Sequence, residues 1–107
     1  MTSSATLDPV LRGLRDALVD LYGSALDRVV LFGSRARGDA REDSDYDVAV
    51  FLKDMPNRGA EWDRLARLRL RLLDAGGPFL EAIPFRASDH DARTPLMHEI
   101  RRDGLVL

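Results

Sequence analysis

Cysteine is absent from the 107 residues, which removes disulfide scaffolds, thiolate nucleophiles and Cys-ligated zinc or iron–sulfur sites. No apolar stretch approaches the ~20 residues that a bilayer crossing needs. Met1 to Leu7 lacks a basic region followed by an apolar core, so no secretory signal is read there and a soluble cytoplasmic protein is expected. Excess charge of one sign is missing too. The 16 cationic and 18 anionic side chains leave a net charge of −2, too balanced for a protein that coats nucleic acid. Lysine is nearly absent, Lys53 standing against fifteen arginines, a bias that reads as genomic base composition rather than chemistry. Repeats, low-complexity blocks and linkers are absent, and the length gives room for one core, so a single domain over 1–107 is expected. What is present, 45% apolar and 32% charged residues, suffices for a packed globule.

Asp8-Pro9 opens a first helix, with Asp8 placed to cap free N–H groups and Pro9 suited to the first turn. Val10, Leu11, Leu14, Leu18, Leu21 and Tyr22 follow helical spacing up to a stop at Gly23. Arg28 to Phe32 is a β-rich run, and Gly33 to Ser44 is polar and turn-rich. From Asp45 to Leu52 the pattern alternates. Asp45, Asp47, Ala49 and Phe51 share one face, and Tyr46, Val48, Val50 and Leu52 share the other, which is core. Gly59 to Leu73 predicts a second long helix with Trp62, Leu65, Ala66, Leu68 and Leu72 inside and Arg64, Arg67, Arg69 and Arg71 on a solvated face. Pro78 to Phe85 predicts a third strand, Pro84 marking an edge or strand end. Thr94-Pro95 starts a last helix that Gly104 stops, and Leu105 to Leu107 form a short terminal strand. Twelve residues between the first two strands are too few for a comfortable parallel crossover, so that pair is expected antiparallel. The helix before the third strand is long enough for a right-handed parallel crossover. A small mixed α/β (α+β) sheet with helices packed on it follows.

The chemistry concentrates in Leu31-Phe32-Gly33-Ser34-Arg35-Ala36-Arg37-Gly38 and Ser44-Asp45-Tyr46-Asp47. Two aspartates two places apart on a strand point the same way with Cβ atoms about 6.5–7 Å apart, so both can converge on Mg²⁺, a hard cation that prefers oxygen. Without a cation they repel. Gly33-Ser34, between a strand and a helical turn, offers close backbone approach, free N–H groups and a hydroxyl, which together make a phosphate cradle. Arg37, one turn on, can hold a phosphate oxygen or brace an acid.

Gly33-Ser34, ten residues and then Asp45-Tyr46-Asp47, between hydrophobic strands, resembles the signature of the DNA polymerase β-like nucleotidyltransferase superfamily. The short chain resembles its minimal branch, whose members are commonly antitoxins paired with HEPN-domain ribonuclease toxins. The resemblance implies a mixed α/β fold and metal-dependent transfer of a nucleoside monophosphate from a triphosphate to a hydroxyl. It implies that Gly33 and Ser34 hold the β- and γ-phosphates and that Asp45 and Asp47 bind Mg²⁺, two ions being expected. A third carboxylate on a later strand completes the family's metal site. Glu81 is the only acid inside the third strand and lies on an otherwise apolar face with Phe79, Ile83 and Phe85. Family members often carry aspartate at that point. In the antitoxin branch the acceptor is a tyrosine hydroxyl of the cognate toxin, modified with AMP from ATP. The alternative is a catalytically weak antitoxin that neutralises its partner by binding alone. A nucleotidyltransferase acting on an aminoglycoside-like hydroxyl would require added acceptor-binding structure.

Several other features carry no function. Arg37-Gly38-Asp39 matches a cell-adhesion tripeptide by coincidence, and His90 and His98 have no metal-ligand spacing and are expected to be exposed. Ser34 lacks a neighbouring base for hydrolase chemistry. No Gly-Lys-Ser/Thr follows Gly33, so the P-loop pattern is not met.

Overall fold

The computed structural model describes residues 8–107, so the secretory-signal reading of Met1 to Leu7 lies outside the described residues. Helix α1 (Pro9–Tyr22) begins where the Asp8 carboxylate accepts the Val10 N–H at 2.8 Å, and it buries Leu11, Leu14 and Leu18. A short 3-10 turn leads into β1 (Leu26–Phe32), and Gly33 connects that strand to the single helical turn α2 (Ser34–Arg37). Strand β2 (Tyr46–Leu52) starts one residue after Asp45, which leaves Asp45 in the loop mouth. Helix α3 (Arg58–Asp74) is capped by the Asn57 side chain, which accepts the Ala60 N–H at 3.1 Å. After β3 (Leu80–Arg86), the Thr94 hydroxyl caps α4 (Pro95–Asp103), and β4 (Leu105–Val106) closes the chain.

The four strands form one mixed sheet in the order β3-β2-β1-β4. β1 pairs antiparallel with β2 and β4, while β2 and β3 run parallel, connected through α3. The turn after β1 and the acidic start of β2 therefore lie at the same end of adjacent strands, and β3 follows them at the edge. Pro84 sits in this edge strand, where its missing N–H breaks no ladder bond on the open side.

Both sheet faces are buried. On one, α1 and α3 set Leu11, Leu14, Leu18, Leu65 and Leu68 against Val29, Leu31, Val48, Val50 and Leu52. On the other, Met97 and Ile100 of α4 cover Val30, Phe32, Ala49 and Phe51, so the face that starts with the two aspartates becomes core within one strand. Trp62 and Ala66, expected inside, are instead exposed. The reason is the position of α3 beside the edge strand: only the narrow Leu65–Leu68–Leu72 stripe reaches the sheet, and among the described residues no element lies beyond β3 to cover the rest. Arg64, Arg67, Arg69 and Arg71 are on the solvated side as expected. His98 is exposed, but His90 is half-buried, its ring edge against Phe51 at 5.3 Å between centroids.

Candidate active site

The site lies on the α4 face of the sheet, at the end where β1 leaves and β2 enters. Gly33 has φ 75° and ψ −157°, a backbone region that only glycine occupies readily. Its neighbour explains the second need for glycine. A Cβ at this position would collide with Oδ2 of Asp47 and stand 3.2 Å from that residue's Cγ. The carboxylate of Asp47 thus rests directly on the Gly33 backbone, and the two halves of the sequence motif touch. Ser34 opens α2, whose first N–H groups have no intrahelical acceptors. Gly38 ends the turn in the left-handed conformation at φ 86°, donating its N–H to the Ser34 carbonyl at 3.0 Å.

Arg35 is the residue that sequence reasoning missed. Its Nη2 donates to the carbonyl oxygens of Arg41, Glu42 and Ser44 at 3.2, 3.1 and 2.9 Å, and its Nε donates again to Ser44 at 3.2 Å. The guanidinium also lies over the Tyr46 ring, 4.2 Å from the centroid. Arg35 therefore ties the loop that delivers Asp45 to the turn that carries Ser34.

Asp45 is exposed and Asp47 is half-buried. Burial, and then the negative charges of Asp45, Glu81 and Glu99, hold the Asp47 carboxyl above the usual carboxylate range, while Arg37 opposes them. Glu99, on α4, is a second residue not foreseen. It is 62 positions from Arg37 in the chain, and no local pattern announces it. Arg37 braces acids: its Nη1 lies 3.3 Å from Glu99 Oε2 and its Nε 3.5 Å from Asp39 Oδ2.

Glu81 is the direct lateral neighbour of Asp47 across the parallel β2–β3 pairing. Its carboxylate nevertheless reaches toward α3, with Oε2 3.9 Å from Arg69 Nη1. Among the described residues, no three His, Asp or Glu side chains are gathered closely enough to hold a metal. The donor chemistry of Asp45 and Asp47 still fits Mg²⁺: both are hard oxygen ligands, and the Asp47 charge is raised in energy by acids that a cation would neutralise. The structure brings Gly33, Ser34, Asp45 and Asp47 to one end of the sheet, sets Arg37 against Glu99, and leaves Glu81 beside them with its head group turned aside.

Comparison with known proteins matches residues 11–92 to the nucleotidyltransferase domain family. A stretch of 47 residues is 43% identical to a candidate protein adenylyltransferase of Methanocaldococcus jannaschii, over 44% of this chain and 48% of that protein. The match thus spans about half the length of that curated relative. Among solved structures, a candidate minimal nucleotidyltransferase superposes with TM-score 0.59 at 31% identity, covering 91% of this chain and 92% of the other. A chain of an MntA–HpeT toxin–antitoxin assembly superposes with TM-score 0.64 at 24% identity, over 90% of this chain and 69% of that one. A chain from the complex of tri-AMPylated Shewanella oneidensis HEPN toxin with MNT antitoxin gives TM-score 0.58 at 22% identity, over 89% and 66%. At these identities the last two demonstrate a shared fold.

Proposed function

The chain belongs to the nucleotidyltransferase domain family, and from that membership we propose that it is a protein adenylyltransferase acting as an antitoxin, moving AMP from ATP to a tyrosine hydroxyl of a HEPN-domain toxin. The observation that carries the reading is the contact of Asp47 with Gly33, which joins the acidic strand to the phosphate turn. The curated relative and the toxin–antitoxin neighbours support the choice of acceptor. The domain is proposed to work as one unit, in the cytoplasm, in a hetero-oligomer with its toxin.

In this reading the Gly33 and Ser34 backbone and the Ser34 hydroxyl seat the β- and γ-phosphates. Asp45 and Asp47 would hold Mg²⁺, two ions being proposed. A divalent cation there supplies neutralisation of phosphate charge and acidification of the attacking hydroxyl. Arg35 fixes the loop that presents Asp45, and Arg37, held by Glu99, keeps a positive charge beside the phosphates. The tyrosine oxygen bonds to the α-phosphorus as the bond from that phosphorus to pyrophosphate breaks, and the hydroxyl proton passes to a carboxylate or to water. Glu81, next to Asp47, is the proposed acceptor of that proton and third carboxylate once it leaves Arg69. Catalysis then rests mainly on positioning and charge stabilisation.

Incubation with Mg²⁺, α-labelled ATP and the HEPN-domain protein of the same genome tests the reading. Label should enter the HEPN protein, and Asp45→Ala with Asp47→Ala should abolish labelling without loss of fold. Transfer that persists in the double variant would remove the mechanism. The Glu81–Arg69 contact favours a second reading, neutralisation by binding alone. That reading is selected if the double variant still silences the toxin in cells at normal expression.

A further inference from the structure

Two arginines leave the single turn α2, and they leave it on opposite sides. Arg35 and Arg37 are two positions apart, about 200° around a helix of 3.6 residues per turn. Arg37 meets Glu99 of α4, the helix that covers the sheet face on which β2 begins with Asp47. Arg35 lies over the Tyr46 ring, and Tyr46 packs into the core on the α1–α3 face. In a strand, residue 46 points away from the side taken by residue 47. Arg35 therefore grips the start of β2 from behind the site.

What it grips is the loop that ends at Asp45. Residues 41–44 close on themselves: the Ser44 N–H donates to the Arg41 carbonyl at 3.1 Å, and the Arg41 N–H donates to Ser44 Oγ at 2.9 Å. Onto this turn Arg35 Nη2 donates to the carbonyls of Arg41, Glu42 and Ser44, and Nε reinforces the last. The Ser44 carbonyl belongs to the peptide bond that joins Ser44 to Asp45. Sheet pairing begins only at Tyr46, whose N–H donates to the Phe79 carbonyl at 2.8 Å. Asp47, by contrast, pairs with Phe32 on one side and Glu81 on the other, and its carboxylate rests on Gly33. The two aspartates are held unequally. The sheet presets Asp47, whereas Asp45 is exposed and its carboxylate has no hydrogen-bond or ion-pair partner among the described residues, so its placement depends on the loop.

We propose that Arg35 is a positioning residue that acts through Asp45 alone: it couples the turn that seats phosphate to the loop that delivers one of the two metal ligands, and touches neither nucleotide nor metal itself. The assignment rests on the proposed function for the metal at Asp45. Its physical basis is the commitment of the guanidinium. N–H groups spent on three carbonyls, and a plane laid on the Tyr46 ring, are not available to a phosphate on the opposite face. Arg37, on the near side, is left for that contact. Groups that hold a metal ligand from behind change metal affinity by about 10–100-fold when removed, although they never contact the ion.

The probe is Mn²⁺, titrated with a saturating non-hydrolysable ATP analogue into wild type, Arg35→Ala, Asp45→Asn and the variant carrying both changes, and followed by electron paramagnetic resonance. Arg35→Ala should weaken Mn²⁺ binding about tenfold or more when Asp45 is present, and by less than about twofold in the Asp45→Asn background. With the metal chelated, affinity for the analogue should stay within about twofold of wild type, because Arg35 makes no phosphate contact. Arg35→Lys keeps the cation and the stem and serves as the second variant where alanine unfolds the loop. It should lose as much Mn²⁺ affinity, since one ammonium cannot span three carbonyls. Equal losses in both Asp45 backgrounds, or wild-type Mn²⁺ affinity in Arg35→Lys, would overturn the assignment. So would a tenfold loss of metal-free nucleotide binding, which would make Arg35 a phosphate ligand. The adenylyltransferase reading fails separately: if the coupling to Asp45 is found but no AMP reaches the HEPN-domain protein, the positioning role stands and that reading falls. A wild type that binds no Mn²⁺ overturns both.

Discussion

Replacing Gly33 with alanine tests the join between the phosphate turn and the acidic strand. Two costs are separable. The backbone at φ 75° and ψ −157° lies in a region that a residue with a Cβ enters only at about 1–3 kcal/mol. The new methyl group must also displace the Asp47 carboxylate, whose Cγ and Cβ would stand 3.2 and 3.3 Å away. Overpacking of that kind costs roughly 1–3 kcal/mol. Gly33→Ala should therefore destabilise by about 2–6 kcal/mol in chemical denaturation. Only the second cost depends on the Asp47 side chain. In an Asp47→Ala background the penalty of Gly33→Ala should shrink by roughly 1 kcal/mol or more, a coupling that a double-mutant cycle resolves. Equal penalties in both backgrounds would refute the contact and with it the reason for glycine beyond the turn itself. A penalty near zero would refute the strained backbone as well.

Other perturbations give equally definite outcomes. Asp47 is held above its ordinary value of 3.8, so the native state binds that proton more tightly than the unfolded chain, and ionisation costs stability as pH rises through the unfolded and then the folded value. The cost persists at neutral pH. Asp47→Asn should therefore melt at a higher temperature than wild type at pH 7 without Mg²⁺, the difference fading toward about pH 3, and added Mg²⁺ should reverse the ranking. Arg35→Ala, which frees four hydrogen bonds and a ring contact, should cost about 1–3 kcal/mol and weaken Mg-ATP binding. Arg35→Lys should rescue little, since a single ammonium cannot span three carbonyls and stack on Tyr46. Phe51→Ala, at a fully buried position of the α4 face, should cost about 3–5 kcal/mol in denaturant titration, whereas a value below about 1 kcal/mol would mean that α4 does not seal that face.

Much of this arrangement is legible in the residues themselves. Alternation from Asp45 to Leu52 identifies both the strand and its acidic face, because side-chain direction in a strand depends only on parity. Asp8, Thr94, Pro9 and Pro95 mark helix starts through local backbone chemistry, which needs no tertiary information. Pro84 marks the edge for the same reason. What escapes is whatever depends on the position of one element over another. Helical periodicity places Trp62 and Ala66 on the apolar side of α3 but cannot tell that the sheet stops at β3, so the outer half of that side is exposed. Glu99 reaches the site only because α4 folds across the acidic face, and the bonds of Arg35 go to backbone carbonyls, which carry no residue signature. For Glu81 the strand position is readable, yet its carboxylate lies toward Arg69, on a helix whose offset the sequence leaves open.

The most direct measurement is a titration of Mn²⁺, as a paramagnetic substitute for Mg²⁺, followed by electron paramagnetic resonance with and without a non-hydrolysable ATP analogue. Wild type should bind the ion weakly alone and more tightly with the nucleotide. Asp45→Asn with Asp47→Asn should lose the bound signal in both conditions while retaining its fold. Bound Mn²⁺ and unchanged nucleotide affinity in that double variant would contradict the assignment of Asp45 and Asp47 as the metal ligands opposite the Gly33–Ser34 turn.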